Sequence, residues 1–172
     1  ARRGNTVHQP LDLIAGLPWE DYGSFARSFD RVYGMKPDQL QLGFLKVLKG
    51  SYMAEAAGEY GLIARSCPPY EVLSTRWLPY EDVIRLKGIE EMVEVYYNSR
   101  QFTETLGVLA EEWGSPFALF ENLARYYVEK GLLGISHSRL ARYEILYRFL
   151  GEAGLDLEKY RDLLMVDLYL RE

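Results

Sequence analysis

The run PLDLIAGLP at residues 10–18 constrains the fold of this chain more than any other stretch. Its apolar residues are nearly continuous and stop at a glycine and a proline, which predicts a short strand covered on both faces, as in a parallel sheet. Residues 21–35 then carry apolar side chains at the i, i+4, i+7 and i+8 spacing of a helix. Alternating apolar residues within 38–50 predict a second strand, with a bulge near Gly43.

These three segments are predicted to form a βαβ unit. The loops between them are short, and a unit of this kind has parallel strands joined by a right-handed crossover. Two parallel strands do not make a stable sheet by themselves, because both outer edges and at least one face stay open. We therefore expect the sheet to be completed by strands that lie outside this sequence.

The character of the chain changes near residue 65. Residues 62–79 are irregular and proline-rich, and from residue 80 onward every strong signal is helical. Short connections between helices favour antiparallel packing in a bundle. The chain is thus predicted to be mainly α, with about five helices within residues 80–99, 103–114, 115–131, 137–154 and 156–172.

Capping residues predict where several of these helices begin. Thr103, Ser115 and Asp156 are the expected N-caps, since their side-chain oxygens can accept hydrogen bonds from the free N–H groups of a first helical turn. Pro116 at the first helical position and Gly131 just past the end support the helix that follows Ser115.

The composition limits the classes of function. Apolar residues make up 48% and charged residues 26%, as in ordinary globular proteins. The net charge of −5 disfavours a nucleic-acid surface, which is usually basic. Apolar runs are shorter than the roughly 18 residues that cross a bilayer, so no membrane span is expected. The first ten residues lack the apolar core of a signal peptide, which predicts a cytoplasmic protein.

Metal-ligating residues are scarce. The chain has one cysteine, Cys67, and two histidines, His8 and His137. Zinc and iron–sulfur sites use three or four converging ligands, so this chain alone is not expected to build a metal site. Cys67 lies beside two prolines in an irregular connection and is interpreted as a structural residue.

Several segments in order resemble one enzyme group. DLIAGLPWED, SFARSFD and QLQLGFLKVLKGS resemble the fifth strand, the following helix and the sixth strand of a radical S-adenosylmethionine (SAM) barrel. The continuation through PPYEVLSTRWL and RLKGIEEMVEVYYNS is similar to cobalamin-binding-domain radical SAM proteins related to the anaerobic magnesium-protoporphyrin IX monomethyl ester oxidative cyclase. In that group a helical C-terminal domain follows the barrel. The resemblance implies a βαβ remnant of a TIM-like barrel in residues 1–65 and a helical accessory domain in 66–172.

The same resemblance implies which cofactors the parent protein would use. Members of the group hold a [4Fe–4S] cluster on a Cys-x-x-x-Cys-x-x-Cys loop, bind SAM at that cluster and carry cobalamin on an N-terminal domain. This sequence contains neither the loop nor that domain, so we expect a C-terminal fragment with no cofactor and no catalytic residue of its own. Its partners would be the rest of its barrel and the N-terminal domain. The parent reaction would be of an oxidoreductase, cyclase or methyltransferase type.

The resemblance also implies a part of the SAM site. The fifth-strand motif of these barrels is Gly-x-Ile-x-Gly-x-x-Glu, and its isoleucine and second glycine lie against adenine. Ile14 and Gly16 match those positions, whereas Asp12 replaces the first glycine and Trp19 replaces the glutamate, with Glu20 one residue late.

The end of the sixth strand is the other predicted part of this site. Leu45, Lys46 and Val47 would offer backbone groups to the adenine edge, because barrel sites lie at the carboxyl ends of the strands. The simpler alternative is that Ile14, Leu45 and Val47 are core residues and that Gly16 forms a turn.

Two further groups combine catalytic chemistry with a simpler explanation. Glu20 and Asp21 follow a strand as catalytic carboxylates would, but an acidic pair more commonly begins a helix, where it suits the helix dipole. His137 lies between two serines, but a relay needs an orienting group and an oxyanion site. We therefore place His137 in a loop leading into a helix, and a hydrolase based on these groups is the least favoured function.

The tyrosines and arginines of the predicted helices are compatible with more than one kind of binding partner. Most of the fourteen tyrosines fall in predicted helices and are expected at the edge of the core with hydroxyls in water, although they would also suit a partner surface or a flat ligand. Arg139, Arg142 and Arg148 share roughly one side of a helix and would suit nucleic acid, against which the acidic total counts.

A second function, from a different class, is a self-contained helical protein-interaction module without catalysis, with the βαβ remnant packed against it. We also expect the exposed strand edges to drive homodimer formation or strand exchange between chains.

Overall fold

The computed structural model describes residues 7–170, and the chain divides into two compact units, Ala1–Val83 and Ile84–Glu172. The described residues are mainly helical with little sheet. The strands are β1 (Pro10–Ala15), β2 (Gln39–Phe44), β3 (Ile63–Ala64) and β4 (Val72–Ser74). The helices are α1 (Tyr22–Gly34), α2 (Tyr52–Glu55), α3 (Ala57–Tyr60), α4 (Tyr80–Met92), α5 (Thr103–Trp113), α6 (Pro116–Glu129), α7 (Arg139–Glu152) and α8 (Leu157–Leu170), and Val93–Asn98 forms a π-helical segment after α4.

The predicted βαβ unit is confirmed. β1 and β2 pair in parallel from Pro10 opposite Gln39 to Ala15 opposite Phe44, and α1 connects them. The predicted bulge near Gly43 is wrong, because Gly43 pairs one-to-one with Ile14 and the register continues through it.

The parallel pair has open edges within residues 7–170. Each of β1 and β2 has the other as its only strand partner there. Beyond β2 the chain turns, and Lys46 forms an antiparallel bridge with Glu71, next to the β3–β4 hairpin. Ile14 on β1 is 47% exposed, whereas Leu40 on β2 is fully buried. The side chains of β2 are thus more buried than those of β1, and the outer edge of each strand has no strand partner among residues 7–170.

The second unit contains most of α4 and the predicted helices that follow it. α5 packs against α6 and α8, and α7 packs against α8. The spacing of apolar residues explains this packing, since each helix turns its large side chains inward. Fully buried examples are Leu86, Ile89, Met92, Leu109, Leu119, Phe120, Leu146, Leu150 and Tyr160.

The predicted N-caps of the helices are confirmed at two of three positions. Ser115 accepts a hydrogen bond from Ala118 N–H, and Asp156 accepts from the N–H groups of the first turn of α8. Thr103 is not an N-cap: α5 begins at Thr103 and its N-cap residue is Phe102, whose side chain has no oxygen to accept a bond.

Asp167 of α8 supplies the missing cap of α5. Its carboxylate is fully buried, and Oδ1 accepts from Glu104 N–H at 3.0 Å. Oδ2 accepts from Thr105 N–H at 2.9 Å and from Thr105 Oγ1 at 2.7 Å. One carboxylate from a distant helix therefore takes three donors at the start of α5, which fixes α8 against it.

The prediction that the tyrosine hydroxyls lie in water is wrong for four of them. The hydroxyls of Tyr96 and Tyr127 hydrogen-bond to each other, Tyr143 donates to the Gln101 carbonyl at 2.8 Å, and the hydroxyl of Tyr160 donates to the Glu112 carboxylate. Burial raises the pKa of Tyr96, which keeps its phenol protonated. Tyr169, which is 66% exposed, fits the prediction.

Candidate functional site

The carboxyl ends of β1 and β2 meet at one edge of the first unit. Ala15 lies opposite Phe44, and the Ala15 carbonyl accepts a hydrogen bond from Leu45 N–H at 2.9 Å. Because the strands are parallel, the loop after each of them begins at this edge, which is where open parallel sheets bind ligands. The residues predicted from the resemblance are therefore brought close together in the backbone.

Gly16 has a clear structural reason to be glycine. Its φ is +91°, a conformation that side chains disfavour. A Cβ built on Gly16 would lie 2.6 Å from Cγ1 of Val72, so even a methyl group would overlap with that side chain. The space that this glycine leaves free is occupied by Val72. The predicted contact of Gly16 with adenine stays a prediction. It would have to be made on the side of the Gly16 backbone that faces away from Val72.

The backbone of residues 45–47 is partly used within the chain. The Leu45 carbonyl accepts from Val72 N–H at 2.8 Å, and Val47 N–H donates to the Tyr70 carbonyl at 2.9 Å. In this antiparallel pattern the N–H and C=O of Lys46 point away from residues 70–72. These bonds leave the backbone of Lys46 and the Val47 carbonyl for the predicted adenine contact, which stays a prediction, while Ile14 offers an exposed aliphatic side chain.

The acidic pair after β1 begins a helix, as predicted. Asp21 is the N-cap of α1: its Oδ1 accepts from Ser24 N–H at 2.7 Å, and Ser24 Oγ accepts from Asp21 N–H. The bond from Ser24 N–H lowers the pKa of Asp21. Burial, and then the charge of Asp21, raise the pKa of Glu20, whose Oε1 is buried without a hydrogen-bond partner.

The sequence did not identify a row of aromatic side chains next to this edge. Trp19 is 75% exposed, and its ring centroid lies 4.6 Å from that of Trp77. Trp77 in turn lies 6.0 Å from Tyr60, whose hydroxyl is 3.4 Å from the hydroxyl of Tyr52. We refer to Trp19, Trp77, Tyr60 and Tyr52 as the aromatic row.

Local hydrogen bonds hold the middle of the aromatic row in place. Thr75 is buried, and its Oγ1 accepts from Trp77 N–H at 3.1 Å and from Leu78 N–H at 2.9 Å. Arg76 N–H donates to the Tyr60 carbonyl at 3.0 Å, which ties the end of α3 to the turn that carries Trp77. The guanidinium of Arg76 lies 6.0 Å from the centre of the Trp77 ring.

Of the other groups singled out in the sequence, His137 and Arg139 have structural roles, whereas the structural role of Cys67 stays a prediction. His137 lies in the loop before α7, as predicted, and its Nε2 donates to the Leu132 carbonyl at 2.9 Å. Arg139 donates to the Leu168 carbonyl at the end of α8. Cys67 is a free, exposed cysteine in an irregular loop. Within residues 7–170 no three metal-ligating side chains converge, and no helix there is long and apolar enough to cross a bilayer.

Residues 58–172 match a protein family described as "Protein of unknown function (DUF4080)". The match covers more than half of the chain, and the chain belongs to this family. It includes Tyr60, Arg76, Trp77 and the helices from α4 onward, whereas β1, α1 and β2 lie before it. The search of curated proteins found no match to the chain.

Proposed function

We propose that this DUF4080 member is the C-terminal region of a radical SAM enzyme similar to the magnesium-protoporphyrin IX monomethyl ester oxidative cyclase group. In this proposal residues 1–65 supply the last strands of the barrel and residues 66–172 form a helical accessory domain. The chain contributes a part of the SAM site and is not catalytically competent alone. The parent reaction is of an oxidoreductase, cyclase or methyltransferase type.

The observation that carries the proposal is the unfinished parallel pair. Parallel strands occur almost only in sheets covered on both faces, and a two-stranded parallel sheet is not stable in isolation. β1 nevertheless has β2 as its only strand partner among residues 7–170, and Ile14 on it is about half exposed. A neighbouring strand from the rest of a barrel would pair with the open edge of β1.

The residues of this chain would contact only the adenosyl part of SAM. Ile14 would pack on the face of adenine, and the backbone of Lys46 would meet its edge. The [4Fe–4S] cluster needs three thiolates, and this sequence has one cysteine, so the cluster, the cobalamin and the chemistry that they supply belong to other parts of the parent protein.

The proposal is tested first on the gene and then on the complete protein. The open reading frame is expected to encode a Cys-x-x-x-Cys-x-x-Cys loop before residue 1, and its absence would refute the proposal. After anaerobic reconstitution with iron and sulfide, the complete protein should bind SAM and release 5′-deoxyadenosine on reduction. Ile14→Ala should raise the Kd for SAM about tenfold, since it removes a buried aliphatic contact. Ile84→Ala, at a similarly exposed isoleucine of α4, should leave it unchanged.

Residues 1–172 alone should bind SAM very weakly or not at all, because they hold only part of the site.

We also expect this isolated chain to dimerise through the open edge of β1. Ile14→Lys should raise the dimer Kd by about tenfold or more, because it places a charge on the exposed edge strand. Light scattering measures the dimerisation of the wild-type chain and of Ile14→Lys, with Ile84→Lys on α4 as the control. A wild-type chain that is monomeric at every concentration would contradict this prediction.

A second candidate function is a helical protein-interaction module without catalysis. It is favoured by the outward side of α8, where Met165, Val166, Tyr169 and Leu170 are between 44% and 66% exposed. Four apolar side chains on one exposed helix surface suit a protein partner. For this candidate we expect the gene to encode no cysteine loop before residue 1. The sequence before residue 1 therefore separates the two functions.

A further inference from the structure

We propose that the aromatic row is a binding site for a planar anionic ligand, an aromatic ring that carries a phosphate or carboxylate group. The row is formed by residues 19–77 of this chain and does not depend on the radical SAM proposal. Its defining feature is Trp19, which is three-quarters exposed to solvent while its ring contacts the ring of Trp77. Tryptophan is highly buried on average, so a ring this exposed is an unusual surface feature.

The aromatic row is formed before any ligand binds. The backbone at Trp77 is held by hydrogen bonds from Trp77 N–H and Leu78 N–H to Thr75 Oγ1, and the backbone of Tyr60 is held by the bond from Arg76 N–H to its carbonyl. Trp19 lies directly between the end of β1 and the capped start of α1. Because this backbone is held and the rings contact one another, binding needs little rearrangement of the site, which favours affinity for a small ligand.

The backbone of Trp19 is a second observation at the same residue. Its φ is +68°, in the left-handed region that bulky side chains rarely adopt. Glycine or asparagine would satisfy the turn with less strain. Strained residues of this kind cluster at binding and active sites. Here the strain falls on the residue that presents the largest exposed ring of the row.

The charge beside the aromatic row selects the ligand. The Arg76 side chain is exposed, its guanidinium lies 6.0 Å from the centre of the Trp77 ring, and no carboxylate pairs with it among residues 7–170. A cationic ligand would be repelled by this guanidinium, whereas a phosphate or carboxylate can form a charge-assisted pair with it. A planar ring stacked on Trp19 and an anionic group at Arg76 satisfy both features at once.

The test is calorimetric titration of the whole chain with matched pairs of ligands. Flavin mononucleotide and riboflavin differ by a phosphate, and 2-naphthoate and 2-naphthamide differ by the charge of one group. We expect the anions to bind with a Kd of about 0.1 mM and the neutral partners about tenfold more weakly. Binding of both anions, or of only one, supports the site and shows which anionic group it accepts.

Two variants and one control assign the binding to the row. Trp19→Gly should raise the Kd of both anions about tenfold or more. The fold should be kept, because glycine adopts the same φ without strain. Arg76→Gln should bind each anion only as tightly as it binds the neutral partner of that anion. Tyr169→Ala removes a similarly exposed aromatic ring from the other unit and should leave the Kd of both anions unchanged.

Three results would overturn the site. They are no saturable binding of either anion up to about 1 mM, equal affinity for the charged and neutral members of both pairs, or unchanged binding in Trp19→Gly. A chain that binds neither anion but loses association with another protein in Trp19→Gly would identify the row as a protein surface and would also overturn the proposal. None of these results bears on the cysteine loop, so the radical SAM proposal is tested separately.

Discussion

Replacing Asp167 with alanine is expected to lower the free energy of unfolding of the Ile84–Glu172 unit by about 3 kcal/mol. The carboxylate is fully buried and accepts from Glu104 N–H, Thr105 N–H and Thr105 Oγ1. Its removal leaves the first turn of α5 without a cap and leaves donors of a fully buried residue, Thr105, without a partner. Hydrogen bonds to an ionised group are the stronger kind, and losing one partner of a buried set costs more than the bond itself gives.

A graded series of substitutions separates the bonds to Asp167. Asp167→Asn keeps the shape but turns an NH₂ group toward donors, so we expect a loss of about 2 kcal/mol. Thr105→Val removes only the hydroxyl donor and should cost about 1 kcal/mol. Thr105→Ser keeps that donor and should cost less than Thr105→Val.

The matched control for Asp167 lies on the same helix. Asp162 is exposed and its carboxylate is 3.6 Å from Arg161, so Asp162→Ala should change the stability by no more than about 0.5 kcal/mol. Urea unfolding followed by far-ultraviolet circular dichroism measures all five variants, because most helices of the chain lie in this unit. A loss for Asp167→Ala as small as that for Asp162→Ala would show that Asp167 does not cap α5.

Local signals in the sequence were enough to predict the elements of the fold. The helix after Ser115 was predicted at both ends, because a cap, a first-turn proline and a C-terminal glycine act within a few residues of each other. The pairing of β1 with β2 followed from two strands separated by a helix, which leaves few alternatives to a parallel arrangement.

Contacts between distant parts of the chain could not be predicted in this way. Thr103 has a side chain suited to a cap, but the acceptor used by α5 comes from Asp167 on the last helix. The hydroxyls of Tyr96 and Tyr127 find each other across two helices, which no sequence spacing indicates.

The resemblance predicts ligand-facing residues at the end of β1 but does not predict the aromatic row beside them. The resemblance pointed to the end of β1, where Trp19 counted only as a departure from a motif. Its contact with Trp77 depends on how the β3–β4 hairpin returns to that edge, and no pattern in either segment indicates this. A tryptophan in the loop directly after a predicted buried strand is the one sequence signal that points to it.

Gly16→Ala is the second substitution with a large expected effect, about 3 kcal/mol of stability lost from the Ala1–Val83 unit. A side chain at φ +91° costs about 1–2 kcal/mol. Forcing a methyl group to within 2.6 Å of Val72 Cγ1 adds about 1–3 kcal/mol of overpacking. Gly50→Ala isolates the first effect, because Gly50 has φ +81° and open space where a Cβ would lie, so it should cost about 1 kcal/mol.

Adding Val72→Ala should remove the overlap, so the double variant should be more stable than the sum of the single changes predicts by about 1–2 kcal/mol. Denaturant unfolding in a Trp113→Phe background follows this unit alone, since the remaining tryptophans, Trp19 and Trp77, both lie in it. Equal losses for Gly16→Ala and Gly50→Ala would refute the contact with Val72. If the complete protein binds SAM as proposed, the double variant separates the two explanations of Gly16. Relief of the overlap together with recovered SAM affinity means that this glycine serves packing alone, whereas relief of the overlap without recovered SAM affinity means that it also faces the ligand.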